Sequence, residues 1–327
     1  MILSYKEAIN KALYDALEDD SDVVLFGEDD RNNLYGYTEG LYEKFGDNRV
    51  IDTPLSEAGV VGAACGAAIC GLRPIVDLTT ENFLYVAMDQ ICSIAAKTAY
   101  MYDGVYSVPI TIFSSSMSVG GNAAQHSDRI HSLFMNIPGL KIICPATAQD
   151  MYSMLREAIK DNNPVLCFAD RTLFWMNEEV NIQKKVEIGK AKKMRDGTDL
   201  TIVSVSGCMR IVKELLPEIE ALGISADVLD VRSVVPLDFN TIKESVKKTG
   251  RIVICDTANR TGSLAGHISS LIVQDAFEYL KAPIRIASCE DIPIPYAKKL
   301  ESSILVSKEK IKNEIKIVLN YKAGGKK

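Results

Sequence analysis

The chain has 327 residues, of which 47% are hydrophobic and 24% charged, and carries a formal net charge of −6 at pH 7. That length suits two ordinary domains, each with its own core, and an acidic balance with no clustered basic face argues against a nucleic-acid partner. No stretch reads as a membrane span, signal peptide or transit peptide, and the basic run Lys322 to Lys327 reads as a solvated terminus.

Ser4-Tyr5-Lys6-Glu7 is a capping box that predicts a helix burying Ala8, Ile9, Ala12, Leu13, Ala16 and Leu17 on one face. Val23-Val24-Leu25-Phe26 is a continuous apolar run, as expected of a strand covered on both faces. The acidic loop Gly27-Glu28-Asp29-Asp30 could touch a ligand but reads first as a solvated turn. Val50-Ile51 ends a second strand, and the small residues Val60 to Ala68 predict a helix whose backbone can approach a neighbour closely. Pro74 to Leu78 is the next strand, and Thr79 to Phe83 lead into a helix through Ala87, Met88, Ile91 and Ala95. Val108 to Phe113 is another strand, followed by a Ser/Gly-rich loop from Ser114 to Asn122. Leu140 to Cys144, a helix from Ala148 to Ile159 and Pro164 to Phe168 complete the series.

Strands alternating with helices predict a parallel sheet covered on both faces. From Arg171 to Gly197 the rhythm breaks, and this stretch reads as an interdomain connection. Asp199 to Val205 restarts the alternation, with helices near 208–221, 240–248 and 263–280 between strands near 226–231, 251–256 and 284–288. The fold class is therefore α/β, with two domains (1–185 and 186–327), each a mainly parallel sheet flanked by helices.

Between Val50-Ile51 and the small-residue helix lies Asp52-Thr53-Pro54-Leu55-Ser56-Glu57-Ala58-Gly59. Glu57 sits at a strand-to-helix junction, where α/β sheets put their ligands, although a first-turn acid favoured by the helix dipole has the same pattern. The eight cysteines are scattered singly without zinc or redox spacing, so they read as free thiols in a reducing, cytoplasmic setting. Of the three histidines, His126 follows a strand and a glycine loop, a place suited to moving protons or binding a substrate carbonyl. A capped loop histidine without function would look the same. His131 reads as packing or surface, and His267 as structural.

Phe45-Gly46-Asp47-Asn48-Arg49-Val50-Ile51-Asp52-Thr53-Pro54-Leu55-Ser56-Glu57-Ala58-Gly59 resembles the signature of the beta subunits of 2-oxoacid dehydrogenase complexes. These belong to the thiamine-diphosphate-dependent first component, of pyruvate, branched-chain or acetoin dehydrogenase type, and are transketolase-like. Ala123-Ala124-Gln125-His126-Ser127 is similar to their Ala-Gln-His-Ser segment, and Asn82-Phe83 with Ala87-Met88-Asp89-Gln90-Ile91 to their aromatic-bearing helix. Val228 to Asp238 and Asp291 to Tyr296 resemble their carboxy-terminal domain, so the likeness runs from about residue 4 to about 300. The fold it implies is a pyrimidine-binding domain followed by a transketolase-type C-terminal domain.

The resemblance implies that Glu57 hydrogen-bonds the cofactor's aminopyrimidine and activates it, chemistry that needs a carboxyl in a dry pocket. It implies that Phe83 packs on that ring, that Leu55 and Thr79 touch it, and that His126 lines the active site near the incoming lipoyl arm. It further implies a potassium ion on the backbone carbonyls of Ile110, Ala158, Asp161 and Asn163. Two departures lie near this site: Asp128, where relatives usually have glutamine, and Phe113-Ser114-Ser115, where they often have arginine, glycine and proline. Arg260 to Ser263 departs from a Gly-Gly-Phe-Gly-like turn.

The chain lacks the Gly-Asp-Gly run through which thiamine enzymes hold the diphosphate and its Mg²⁺. The resemblance therefore implies half a cofactor site, completed by an alpha subunit in an α2β2 heterotetramer with a second beta chain. The implied reaction is decarboxylation of a small 2-oxoacid and acyl transfer to a lipoyl-bearing acyltransferase. The alternatives are an acetoin-cleaving beta subunit, a split transketolase-like enzyme, and a catalytically silent scaffold that binds a partner.

Overall fold

Ser4 ends strand β1 (Ile2–Ser4) and caps helix α1 (Tyr5–Asp19). Its hydroxyl accepts from the Glu7 N–H at 3.2 Å, while its own N–H donates to the Glu7 carboxylate at 2.6 Å. The bond from the Ser4 N–H favours the ionised carboxylate, and the Ser4 backbone and side chain hold the Glu7 carboxyl below the usual range. The computed structural model describes residues 1–116 and 120–322. Part of the Ser/Gly-rich loop (117–119) and most of the basic tail (323–327) thus lie outside the described residues.

The chain divides into two compact units, Met1–Ser118 with Gln125–Ile188, and Val119–Ala124 with Gly189–Lys327. The first unit continues with β2 (Val23–Gly27), α2 (Leu41–Phe45), β3 (Val50–Asp52), α3 (Glu57–Ile69) and β4 (Arg73–Thr80). Next come α4 (Thr98–Met101), β5 (Thr111–Ser116), α5 (His131–Phe134), β6 (Lys141–Ile143), α6 (Ala148–Lys160), β7 (Val165–Asp170) and β8 (Asn177–Glu179). Its main sheet runs β6-β7-β5-β4-β2-β3, every neighbouring pair parallel.

The apolar faces of α1 and α6 meet over one side of this sheet. Ile9, Leu13 and Leu17 join Met151, Met154, Leu155 and Ile159 above Leu25, Ile75, Phe113 and Val165 in one buried cluster. The alternate strand residues Val24, Val76, Ile112 and Leu166 are buried as well, on the opposite face by the two-residue period of a strand. Helix α3 packs on β4, its Val61, Ala64, Cys65 and Ala68 all buried. A sheet covered on both sides explains why its strands read as unbroken apolar runs.

Three local features differ from the sequence-based expectation. The helix expected through Ala87 to Ala95 is irregular: a 3₁₀ turn at Glu81–Tyr85, a wide turn at Gln90–Ala95 and then α4. Strand β5 runs on to Ser116 because its serines are buried in the sheet, the Ser115 hydroxyl donating to the Thr79 carbonyl at 2.8 Å. The stretch after Arg171 is no free connection: β8 pairs antiparallel with β1, and Phe174, Val180 and Val186 are buried in the first unit's core. Its apolar residues lack periodicity because they plug gaps rather than line one face.

The second unit contains β9 (Lys192–Arg195), β10 (Leu200–Ser204), α7 (Cys208–Ala221), β11 (Ala226–Asp230), β12 (Ser233–Val235) and α8 (Phe239–Thr249). It ends with β13 (Ile252–Asn259), α9 (Leu264–Asp275), β14 (Arg285–Cys289), α10 (Lys298–Ile304) and α11 (Lys308–Leu319). Its sheet runs β14-β13-β10-β11-β9, parallel except for the antiparallel edge strand β9. Charge-rich β9 and the two last helices are absent from the sequence reading. Buried Asp227 ties α8 to this sheet, accepting from Ser245 at 2.6 Å and pairing with Lys248 at 2.8 Å.

Arg49 closes the C-terminus of α1, donating to the carbonyls of Leu17, Asp20 and Val23 at 2.9, 2.7 and 2.6 Å. A helix end presents carbonyls without intrahelical partners, and a guanidinium satisfies them with favourable charge. Replacing Arg49 by Met is expected to destabilise the first unit by about 2 kcal/mol, the cost of stranding partly buried acceptors. Chemical denaturation followed by circular dichroism measures it, and a loss below about 0.5 kcal/mol would count against the capping role.

Candidate active site

In the first unit the chain passes from β2 to β3 on one side and then to β4 on the other. The connections after β2 and β3 therefore diverge from the end of β4, and a crevice opens at the carboxyl edge of the sheet. A small open hollow lies there, lined by Glu28 after β2, Thr53 to Glu57 after β3, Asp77 to Thr79 at the end of β4, Val60 and Phe83.

Four of the residues singled out in the sequence, Leu55, Glu57, Thr79 and Phe83, meet in this hollow. Glu57 is the first residue of α3 and is half-buried, where the helix dipole favours negative charge. Leu55 is 69% exposed. Thr79 is buried with φ +59°, a left-handed conformation that costs free energy for a β-branched residue. The β4–β5 register shifts between Asp77 and Thr80, so Thr79 sits in a bulge that re-aims the chain into the hollow. Two bonds hold it there: its N–H donates to Asp77 at 2.7 Å, and its carbonyl accepts from Ser115 at 2.8 Å. His126 meets Phe83 edge to face, ring centroids 5.5 Å apart at 78°.

The acidic loop after β2 corrects its sequence reading as a solvated turn. Glu28 lines the hollow, and burial together with Asp29, Glu57 and Asp52 holds its carboxyl above the usual range. Asp30 is 4% exposed and faces Asp77, itself 5% exposed. Burial pushes Asp77 up to about 6, while burial and the Asp77 charge raise Asp30 well above its ordinary value. Two carboxyls in one dry site do not both ionise readily, so Asp30 holds the proton. Tyr37 faces the pair and lowers Asp77, yet neither its hydroxyl nor Asp30 Oδ2 reaches a partner in full hydrogen-bonding geometry.

Ile110, Ala158, Asp161 and Asn163 gather at the opposite, amino edge of the sheet. The Ile110 carbonyl accepts from the Val165 N–H at 2.9 Å, that of Ala158 from Asp161 at 3.1 Å, and that of Asp161 from Arg73 at 3.2 Å. The Asn163 N–H donates to the Asp161 carboxylate at 2.9 Å. The carbonyls of Ile110, Ala158 and Asp161 each keep a second lone pair, while Arg73 and the Lys141 ammonium paired with Asp161 bring positive charge to this corner. Among the described residues, no three His, Cys, Asp or Glu side chains gather as a metal site.

Two family models cover most of the chain: the transketolase pyrimidine-binding domain matches residues 2–175 and the transketolase C-terminal domain residues 189–311. The pyruvate dehydrogenase E1 component subunit beta of Rickettsia bellii is 37% identical over 327 residues, spanning 98% of this chain and 100% of that one. The chain belongs to this family of 2-oxoacid dehydrogenase beta subunits. The beta subunit of the acetoin:2,6-dichlorophenolindophenol oxidoreductase of Bacillus subtilis is 38% identical over 325 residues, covering 95% of each chain. A split-gene transketolase structure superposes with a TM-score of 0.80 at 20% identity, over 97% of this chain and 98% of that one. Pichia stipitis transketolase gives 0.73 at 15% identity, over 97% of this chain and 46% of that one; these two bear on the fold alone. As a beta subunit of a thiamine-diphosphate-dependent 2-oxoacid dehydrogenase, the chain has a hollow whose mixture of apolar walls and one helix-start acid fits an aminopyrimidine. Among the described residues, no helix is long and apolar enough to cross a membrane.

Glu81, Asn82, Tyr85 and Asp128 are not among the candidate residues of the sequence. Asn82 stood out only as the neighbour of Phe83 in the family-like segment and Asp128 only as a departure from the family. Glu81 is fully buried, accepts from the Ile130 N–H at 2.8 Å and is pushed up to about 7, mainly by burial, against the lowering effect of His131 and Arg129. Its pKa is higher folded than unfolded, where the ordinary value is 4.5. Its contribution is thus fully present below about pH 4.5 and is lost as pH rises through about 7. Glu81→Gln, which keeps an acceptor without the charge, is expected to gain stability over the wild type as pH rises from about 5 to 8, by on the order of 1–3 kcal/mol. Melting temperatures across that range measure the gap, and a gap that narrows with pH would refute the assignment.

Proposed function

We propose that the chain forms the aminopyrimidine half of an interfacial active site that decarboxylates a small 2-oxoacid and passes the acyl group to a lipoyl-bearing acyltransferase. The observation that carries this reading is the meeting of Glu57, Thr79 and Phe83 in one hollow, with His126 set edge-on against Phe83. An alpha subunit, in an α2β2 assembly with a second copy of this chain, holds the diphosphate and Mg²⁺. Acetoin cleavage is the second reading, favoured by the 38% identity to the acetoin-oxidising relative.

When bound, thiamine diphosphate supplies a nucleophilic carbon and an electron sink for the bond broken beside the carbonyl. Glu57 would hold the aminopyrimidine by a hydrogen bond from its carboxyl, the proton-sharing group of this half of the site. Phe83, Leu55 and Val60 would supply apolar contacts to the bound ring. The bulge at Thr79 turns backbone groups toward the ring edge. His126 holds or donates a proton at the substrate carbonyl or at the sulfur of the incoming arm. The carbonyls of Ile110, Ala158, Asp161 and Asn163 would hold potassium at the amino edge of the sheet, away from the reacting groups.

Calorimetric titration of thiamine diphosphate and Mg²⁺ is expected to show tight binding to a mixture with the alpha subunit from the same source, and weak binding to this chain alone. Glu57→Gln in that mixture should lower turnover of pyruvate, or of acetoin with an artificial electron acceptor, by about 10²–10⁴-fold. Tight binding to the isolated chain, or full turnover by the Gln variant, would defeat the half-site reading. Exchanging KCl for tetramethylammonium chloride at equal ionic strength should lower the melting temperature, because a ligand at 100 times its Kd stabilises by about 2.7 kcal/mol. Equal melting in both salts would remove potassium from the account.

A further inference from the structure

Hydrogen bonds join the 3₁₀ turn bearing Phe83 to the loop bearing His126, and three of them converge on Asp128. The Asn82 amide donates to Asp128 Oδ2 at 2.8 Å and accepts from the Asp128 N–H at 3.1 Å, closing a two-bond ring. The Tyr85 hydroxyl donates to the same Oδ2 at 3.2 Å, and its own proton is held up to about 12 by burial and the Asp128 charge. The Ile130 N–H donates to Glu81 at 2.8 Å. Deeper in the fold, Arg129 and Asp170 form an ion pair at 3.0 Å, with 8% and 1% of their side chains exposed.

We propose that Asp128 is a positioning residue: by clamping Asn82 and Tyr85, which flank Phe83, it holds His126 against the Phe83 ring and in its working orientation. This rests on the role given above to His126. The geometry is that of a bracket. Asn82 and Tyr85 stand on either side of Phe83 in the turn, and Asp128 lies two residues after His126 in the loop. Without the Asp128 acceptor, Tyr85 loses its tie to the loop and Asn82 keeps only the bond from the residue-128 N–H, leaving the imidazole to a weak edge-to-face contact. The buried Glu81 and Arg129–Asp170 contacts fasten the base of the loop, beyond Asp128 from His126, so they secure its course but not the ring.

Asp128 and His126 are half-buried and Tyr85 is 44% exposed, so substitution at Asp128 leaves the core intact. An Asn in its place offers one oxygen that can accept both bonds, whereas Ala offers none. The experiment uses histidine-labelled protein, whose three imidazoles give few enough signals to assign with His126→Gln, together with turnover of the complex with the alpha subunit. In the wild type the His126 ring protons should carry a ring-current shift from Phe83. Asp128→Ala should collapse that shift toward the free-imidazole position and lower kcat at least 10-fold, with the apparent affinity for thiamine diphosphate changed less than 2-fold. Asp128→Asn should restore both.

An unchanged His126 signal in Asp128→Ala, or a collapsed signal with unchanged kcat, would overturn the proposal, as would failure of Asp128→Asn to restore either. His126→Gln separates the two levels. If that variant itself keeps full turnover, the catalytic role of His126 falls, whereas a damaged His126→Gln beside an undamaged Asp128→Ala removes the clamp alone.

Discussion

The reversal of strand order around β2 is the constraint on which the site depends. A parallel sheet sends each connection back over one face, and where successive crossovers leave on opposite sides of a strand the loops at its carboxyl edge part. The loops after β2 and β3 and the end of β4 line the gap. Covering both faces with helices shields the floor of this opening from water. Helix α3 can lie close on β4 because its packing face is made of Val, Ala and Cys side chains, and its first residue then projects Glu57 into the hollow.

Dryness has an electrostatic consequence that shapes the rest of the unit. Glu28, Asp30, Asp77 and Glu81 all sit where burial opposes ionisation, and all four are shifted upward. Such a concentration of costly carboxyls is unusual for a core that needed only to be stable. Asp77 illustrates the exchange: its carboxylate fixes the strained Thr79 N–H, and the adjacent Asp30 relieves it by remaining protonated. Strain and buried charge therefore support one geometry at the edge of the hollow. The amino edge of the same sheet is different in character, with paired cations and helix-end carbonyls.

Much of the fold was legible because local rules and tertiary demands agree. The capping box at Ser4, the apolar face of α1 and the continuous apolar strands each have one low-energy interpretation, and the structure follows it. Reading failed where side chains answer to a neighbour rather than to a period. Phe174 and Val186 fill gaps in a core assembled from distant segments, Ser114 to Ser116 are polar yet buried in the sheet, and Glu81 to Tyr85 form a turn set by partners some 45 residues away. The site divides in the same way. Glu57, Phe83 and His126 stand in recognisable local patterns, whereas nothing local marks Asp30 and Asp77 as a pair or Asp128 as the partner of Asn82 and Tyr85.

The sequence by itself determined the α/β alternation, the helix that begins at Glu57 and the family to which the chain belongs, because each is written in contiguous residues. Only the tertiary structure decided that an acidic loop read as solvated would bury Asp30 beside Asp77, and that Asp128 would bracket Phe83. Those facts depend on which segments are brought together by sheet order. A carboxyl's charge state and a hydrogen bond's partner are properties of the surroundings, and no pattern along the chain encodes them.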